Sequence, residues 1–171
     1  MAQVNYEDNG LVYITKITGT NVATLDLDNC FSADYSQYKL VIDVEGTSGT
    51  YAYMRLRTGG STNSGAIYNR QYGGSSSTTI LGGRNTSQTS WLGLLEQNIN
   101  TRVCTNFEIL NPYQSTYTTA SSLEASYSNT SPILLAFAFG TNVTTSFDGF
   151  SIYFDTGNVT GTVYVYGYVE S

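Results

Sequence analysis

The sequence predicts an all-β protein, a single jelly-roll-like antiparallel β-sandwich. Segments that alternate apolar and polar residues recur along the chain, separated by turn-forming residues at the spacing of sandwich strands. No stretch sustains the 3.6-residue period of an amphipathic helix. Apolar residues make up 40% and charged residues only 12% of the chain, about half the usual charged share. Solubility therefore rests on Ser, Thr, Asn and Gly in a turn-rich chain. The aromatic content of 13%, with 15 tyrosines, opposes disorder. A length of 171 residues suits one domain. Residues 1–10 are expected to form a short N-terminal arm and residues 11–171 the sandwich domain.

The elements follow in order. Leu11 to Ile17 is the first expected strand, and Ala23 to Leu27 follows a Gly19-Thr20-Asn21 turn. Tyr38 to Glu45 and Tyr51 to Thr58 read as a hairpin joined through Gly46-Thr47-Ser48-Gly49. Period-two alternation then puts Leu40, Ile42 and Val44 on the same core face as Ala52, Met54 and Leu56. The expected register sets Ile42 opposite Met54 and Asp43 opposite Tyr53, with Arg55 on the diagonal. Ala66 to Tyr72 is the next strand, and the runs 59–65 and 73–77 read as flexible Gly/Ser loops. Trp91-Leu92-Gly93-Leu94-Leu95 reads as a short turn or a loop plug, because Gly93 opposes a helix. Trp91 is expected to anchor core or loop rather than to serve as a ligand platform. Val103 to Leu110 and Ile133 to Phe139 come next. The most apolar run, Pro132 to Phe139, has the length of a buried strand. Phe150 to Phe154 and Thr162 to Val169 close the series, with turns at Asp148-Gly149 and Asp155-Thr156-Gly157. Two prolines and few charges leave the sheet edges to be covered by loops or neighbouring subunits.

Several classes of chemistry find no support. The net charge is −6, with a pI near 4.3, which is the wrong sign for a nucleic-acid footprint. No apolar run reaches the roughly 18 residues of a membrane-spanning helix, and the seven Lys and Arg residues form no cluster for an anionic membrane. The start has neither the basic nor the apolar region of a secretory signal, so folding is expected in a cytoplasm. The sequons at Asn85, Asn129, Asn142 and Asn158 are then chance products of a Thr/Asn-rich sequence. Cys30 and Cys104 match no zinc spacing and are expected to be reduced. With no histidine, the Ser-His-Asp and Cys-His arrangements are absent. Gly59-Gly60 is followed by no lysine that could meet a phosphate. Asp43 with Glu45, and Asp26 with Asp28, are carboxylate pairs of the kind glycosidases use. Each reads better as solvated charge beside Arg55 or Arg57. Asp26-Leu27-Asp28-Asn29 offers oxygens to calcium but lacks the EF-hand spacing. No catalytic residue, metal ligand or cofactor is assigned.

Tyrosines are the remaining feature. Phe150, Ile152 and Phe154 alternate with Ser151, Tyr153 and Asp155, and Val163, Val165, Gly167 and Val169 alternate with Thr162, Tyr164, Tyr166 and Tyr168. Read as one pair of strands, they present an aliphatic face and a face of Tyr153, Tyr164, Tyr166 and Tyr168. Tyr51 and Tyr53 project from another face. A tyrosine can bury on the order of 150–250 Å², so these six residues are the candidate interface. A second sheet of the same chain, a neighbouring subunit or a sugar could cover them.

The closing stretch, from Phe150 through Thr156-Gly157-Asn158-Val159, Gly161-Thr162-Val163 and Tyr166-Gly167, resembles the final β-hairpin of jelly-roll proteins in tailed-bacteriophage particles. Tyr38-Lys39-Leu40-Val41-Ile42, Met54-Arg55-Leu56-Arg57 with Gly59-Gly60, and Phe107-Glu108-Ile109-Leu110-Asn111-Pro112 are similar to the same group. The resemblance implies a non-enzymatic virion structural protein without cofactor, folded in the host cytoplasm before assembly. A shaft segment is missing before the first strand. That favours a trimeric capsid decoration (cement) protein, whose partners are its own copies and other virion proteins such as the major capsid protein. Nucleic acid and membrane are not expected partners. The alternative is a tail-fibre or tail-tip module that recognises a host surface glycan.

Overall fold

The computed structural model describes residues 10–48, 51–76, 78–96, 102–128 and 131–169. Apart from Gly10, the expected N-terminal arm lies outside the described residues. Among these residues there are thirteen strands and no helix. They are β1 (Leu11–Val22), β2 (Leu25–Leu27), β3 (Gln37–Gly46), β4 (Tyr51–Thr58), β5 (Ser61–Thr62), β6 (Tyr68–Ser76), β7 (Thr79–Gln88), β8 (Trp91–Glu96), β9 (Val103–Leu110), β10 (Thr119–Ser128), β11 (Ser131–Thr141), β12 (Gly149–Phe154) and β13 (Val159–Tyr168). An eight-stranded sheet has the order β1-β13-β3-β9-β10-β11-β6-β7. The five-stranded sheet has the order β2-β12-β4-β5, with β8 also paired to β4.

Eight of these strands form a rolled ribbon. β1 pairs with β13, β2 with β12, β3 with β9 and β4 with β8, all antiparallel. The chain runs out along β1 to β4 and returns along β8, β9, β12 and β13. Pairing of β13 with β3 and of β12 with β4 rolls the ribbon into two sheets. This is the jelly-roll arrangement. Two further hairpins, β6–β7 inserted between β4 and β8 and β10–β11 inserted between β9 and β12, widen the larger sheet beyond β9.

Alternation in the sequence explains the core. Tyr38, Leu40, Ile42 and Val44 of β3 face Ala52, Met54 and Leu56 of β4 across the sandwich, all fully buried. Phe150, Ile152 and Phe154 from β12, and Val159, Val163 and Val165 from β13, complete the two inner faces. Burying each such large side chain is worth about 1.5–3 kcal/mol. Gly167 continues the inner row of β13, and a Cβ there would stand 2.6 Å from the Tyr35 ring that packs on it. Trp91 sits wholly buried at the junction with the inserted hairpins. Its ring lies 5.8 Å from Phe107, 5.7 Å from Phe139 and 5.7 Å from Tyr68, and its Nε1–H donates to the Gly140 carbonyl at 3.1 Å.

Several expectations are corrected. Tyr38–Glu45 and Tyr51–Thr58 do not form a hairpin: β3 and β4 belong to different sheets. Ile42 and Met54 share one core, but from opposite layers. Asp43 lies opposite Thr162 and Cys104, not Tyr53, and Arg102, not Arg55, is its cation, with Nε to Oδ1 at 2.6 Å. Alternation fixes which side chains point inward, and two such strands can meet side by side or face to face. The C-terminal segments likewise do not pair: β12 lies in the smaller sheet and β13 in the larger. Gly73 to Ser76 belongs to β6 rather than to a loop, and Trp91–Glu96 is strand β8 rather than a plug. Gly149 is a buried strand residue rather than part of a turn, whereas Gly157 does occupy a turn, with φ +77°.

Candidate functional site: an arginine–aromatic cavity beside two unlike outer faces

The six tyrosines fall into three settings. Tyr164, Tyr166 and Tyr168 lie half-buried on the outer face of the larger sheet, where neighbours on the same face cover them laterally. Tyr13 meets Tyr166 edge-on at 5.7 Å, and the Lys16 ammonium lies 5.9 Å from the Tyr164 ring centre. Tyr168 donates its phenol proton to Glu108 Oε1 at 2.9 Å, and Lys39 approaches the same oxygen at 3.7 Å. Burial and the adjacent Glu108 raise the Tyr168 pKa. Tyr153 lies on the outer face of the other sheet, stacked on Tyr53 at 5.4 Å with the Arg55 guanidinium 4.8 Å from its ring centre. The expected single tyrosine face is thus divided between two layers.

Tyr51 and Tyr53 instead line a cavity of about 470 Å³. It forms where the inserted strands β6, β7 and β11 extend past β8. Arg70 and Tyr72 enter from β6, Phe137 and Leu135 from β11, Leu81 from β7, and Leu92 with Gly93 from β8. The Arg70 guanidinium lies 4.6 Å from the Tyr72 ring centre and 5.9 Å from that of Phe137. It donates from Nη1 to the Leu92 carbonyl and from Nη2 to Asn85 Oδ1, both at 2.8 Å. Burial lowers its pKa, against the favourable influence of the neighbouring tyrosines. Gly93 makes the arrangement possible: its φ is +67°, and a Cβ there would stand 2.6 Å from Arg70 Nη1. Tyr53 has its pKa raised, chiefly by burial and then by the charge of Asp155.

Of the carboxylates weighed for catalysis or calcium, Asp26, Asp28 and Asp43 are held by arginines. Arg57 contacts Asp28 through Nε at 2.7 Å and Asp26 through Nη1 at 3.2 Å. It also donates to Thr62 Oγ1, Ser151 Oγ and the Gly60 carbonyl. A cation already occupies the centre of that acidic group. Among the described residues, no group of three or more His, Cys, Asp or Glu is placed to hold a metal. Cys30 is buried and Cys104 exposed, both as free thiols. Trp91 is core, as expected, and does not reach the cavity wall.

A second outer face was not anticipated. On β10, β11, β6 and β7, a row runs from Ala125 to Leu134, Ser75 and Ile80, beside another from Leu123 to Ala136, Gly73 and Gly82. Ile80 is 88% exposed, Leu123 61% and Leu134 50%. The apolar run Pro132 to Phe139 held the signal. Among the described side chains there, Leu135, Phe137 and Phe139 are buried, while Leu134, Ala136 and Ala138 face outward. No family model and no curated protein matches the chain.

Proposed function

We propose that this protein is a non-enzymatic structural subunit of a tailed-phage particle, a trimeric decoration (cement) protein that strengthens the capsid shell. Its partners on this reading are its own copies and the major capsid protein, and its place is the virion after folding in the host cytoplasm. The observation that carries the reading is the outer face with Leu123, Leu134 and Ile80 exposed, on which Arg84 is a charged side chain at one border. Contiguous apolar surface of this kind marks interaction sites on soluble proteins. Its flat array of Ala, Gly and Ser lets a second surface approach closely. Engagement of Asp26, Asp28 and Asp43 with arginines supports the non-enzymatic part.

Light scattering on the purified chain should give a trimer, and cryo-EM of intact particles should place it on the shell. Because apolar contact rather than charge dominates this face, the bound protein should resist extraction by moderate NaCl. Release by salt alone, or a strictly monomeric chain that never occupies particles, counts against the proposal. The cavity around Arg70 favours a second reading, a tail-tip module recognising host surface glycan. Localisation at the tail tip rather than the shell would select it.

A further inference from the structure

We propose that the cavity around Arg70 is a binding site for a small carboxylate carried on a ring, the chemistry of an acidic sugar or of an aromatic acid. The site stands whether the protein sits on a shell or at a tail tip, since it rests on the cavity alone.

Two arginines make the case. Arg57 has a side chain only 8% exposed, and its donors are shared among two carboxylates, two hydroxyls and one carbonyl. Arg70 is half-buried, with its Nε enclosed, yet both of its hydrogen-bond acceptors are uncharged. No ion pair reaches it among the described residues. Its Nε–H is buried without an acceptor. A guanidinium has five N–H donors, and among the described residues Arg70 engages two of its own. Aromatic faces offset part of the lost hydration, about 0.5–2 kcal/mol for a cation over a ring, which falls short of what a desolvated charge requires.

The guanidinium is therefore fixed in place by Leu92 and Asn85 but lacks an anion. Fixing the donors beforehand lowers the cost of binding, and the planar fork matches a carboxylate. The volume, about 470 Å³, lies within the ordinary range for small-ligand sites. The rings of Tyr51, Tyr53 and Tyr72 supply flat faces for a ring and hydroxyls for its polar edge. Among the described residues, Arg70 is the cation that lines the cavity, which suits one negative charge. Asp155, whose Oδ1 accepts from the Tyr51 amide at 3.3 Å, together with the net charge of −6, opposes a dianion such as phosphate.

The test is calorimetric and NMR titration of the full chain with glucuronate, N-acetylneuraminate and benzoate, against glucose, benzyl alcohol and inorganic phosphate. The acids should bind with millimolar or tighter affinity and shift the Arg70 side-chain resonance. The neutral probes should bind at least about tenfold more weakly, the loss of a charge-assisted hydrogen bond. Preference for the two sugar acids identifies an acidic-sugar site, and preference for benzoate an aromatic-acid site. Arg70→Lys should weaken binding about tenfold or more, because it loses the fork. Arg70 also ties β8 to β7, so Tyr51→Ala, at the exposed rim, provides a second variant that leaves that tie intact. It should weaken binding several-fold at unchanged melting temperature. Equal binding of neutral and acidic probes, phosphate binding as well as the acids, or no binding by any acid overturns the proposal.

Discussion

The two halves of the eight-stranded sheet have the same architecture and opposite outer surfaces. Over β1, β13, β3 and β9, the outward side chains engage one another: Tyr13 with Tyr166, Lys16 with Tyr164, Tyr168 with Glu108 and Lys39. Over β10, β11, β6 and β7, they are mostly Leu, Ile, Ala, Gly and Ser, with Gln71 and Arg84 at one border and three large apolar residues at least half exposed. The first half is covered largely by its own contacts, although Leu11 and Tyr13 of β1 and Leu110 of β9 stay exposed. The second leaves apolar surface facing water. Aromatic residues alone are therefore a poor marker of an interface: a tyrosine with a polar partner for its hydroxyl can belong to an ordinary surface, whereas Ile80 has no such use for water.

The largest expected effect tests whether the halves fold as one. Trp91→Ala, at their junction, should lower stability by about 3–5 kcal/mol in a single transition followed by chemical denaturation. Two separated transitions would break the comparison, because the inserted strands would then be a separate unit. Next comes alkaline pH. Burial pushes the Tyr68 phenol, at the start of β6, from its ordinary value near 10 up to about 12. The fold favours the protonated form. Its contribution is fully present below pH 10 and is lost as pH rises toward 12, on the order of 2–3 kcal/mol. Tyr38 and Cys30, both raised chiefly by burial, add to the loss in the rolled half. Urea melts across that range check both.

Smaller effects separate the faces. Ile80→Ser, Leu123→Ser and Leu134→Ser together should abolish self-association by light scattering while changing monomer stability by only about 0.5 kcal/mol per site. Glu108→Gln on the other face should cost about 1 kcal/mol or less and leave association intact. If Glu108→Gln dissolves the oligomer and the triple variant does not, the faces have been assigned the wrong way round. The smallest effect is Asp43→Asn. Hydrogen bonds from Arg102 hold the Asp43 carboxyl below its usual range, so the native chain loses a small stabilisation as pH falls through that depressed value. The variant should lack that part of the acid limb in thermal melts.

Period-two alternation made the core of β3, β4, β12 and β13 legible before any coordinates. It could not reveal which strands pair, since Ile42 and Met54 meet in the core whether their strands are neighbours or face each other. β10 was illegible for another reason: its inward residues Ala120, Ser122 and Glu124 are small or polar, so no alternation marks it. The Gly and Ser residues of β6 resemble a loop in composition, yet close approach to β11 demands them. A Cβ on Gly74 would collide with the Leu134 carbonyl. At the cavity, Tyr51 and Tyr53 were recognised but Arg70 was not, because its role comes from Asn85, Leu92 and Phe137, which meet it only in three dimensions.

The rolled ribbon also sets a timetable. Its innermost pairing places Tyr51 opposite Glu96, and its outermost places Leu11 opposite Tyr168. Closing a loop costs only about 0.6 kcal/mol more for each doubling of its length, but the outer closures become short only after the inner ones exist. Folding is therefore expected to zip outward from β4 and β8, slowly, as non-local pairings do, with β1 docking last against β13. Pulse-labelled amide exchange should show β4 protected well before β1. The reverse order would mean that the two ends find each other first.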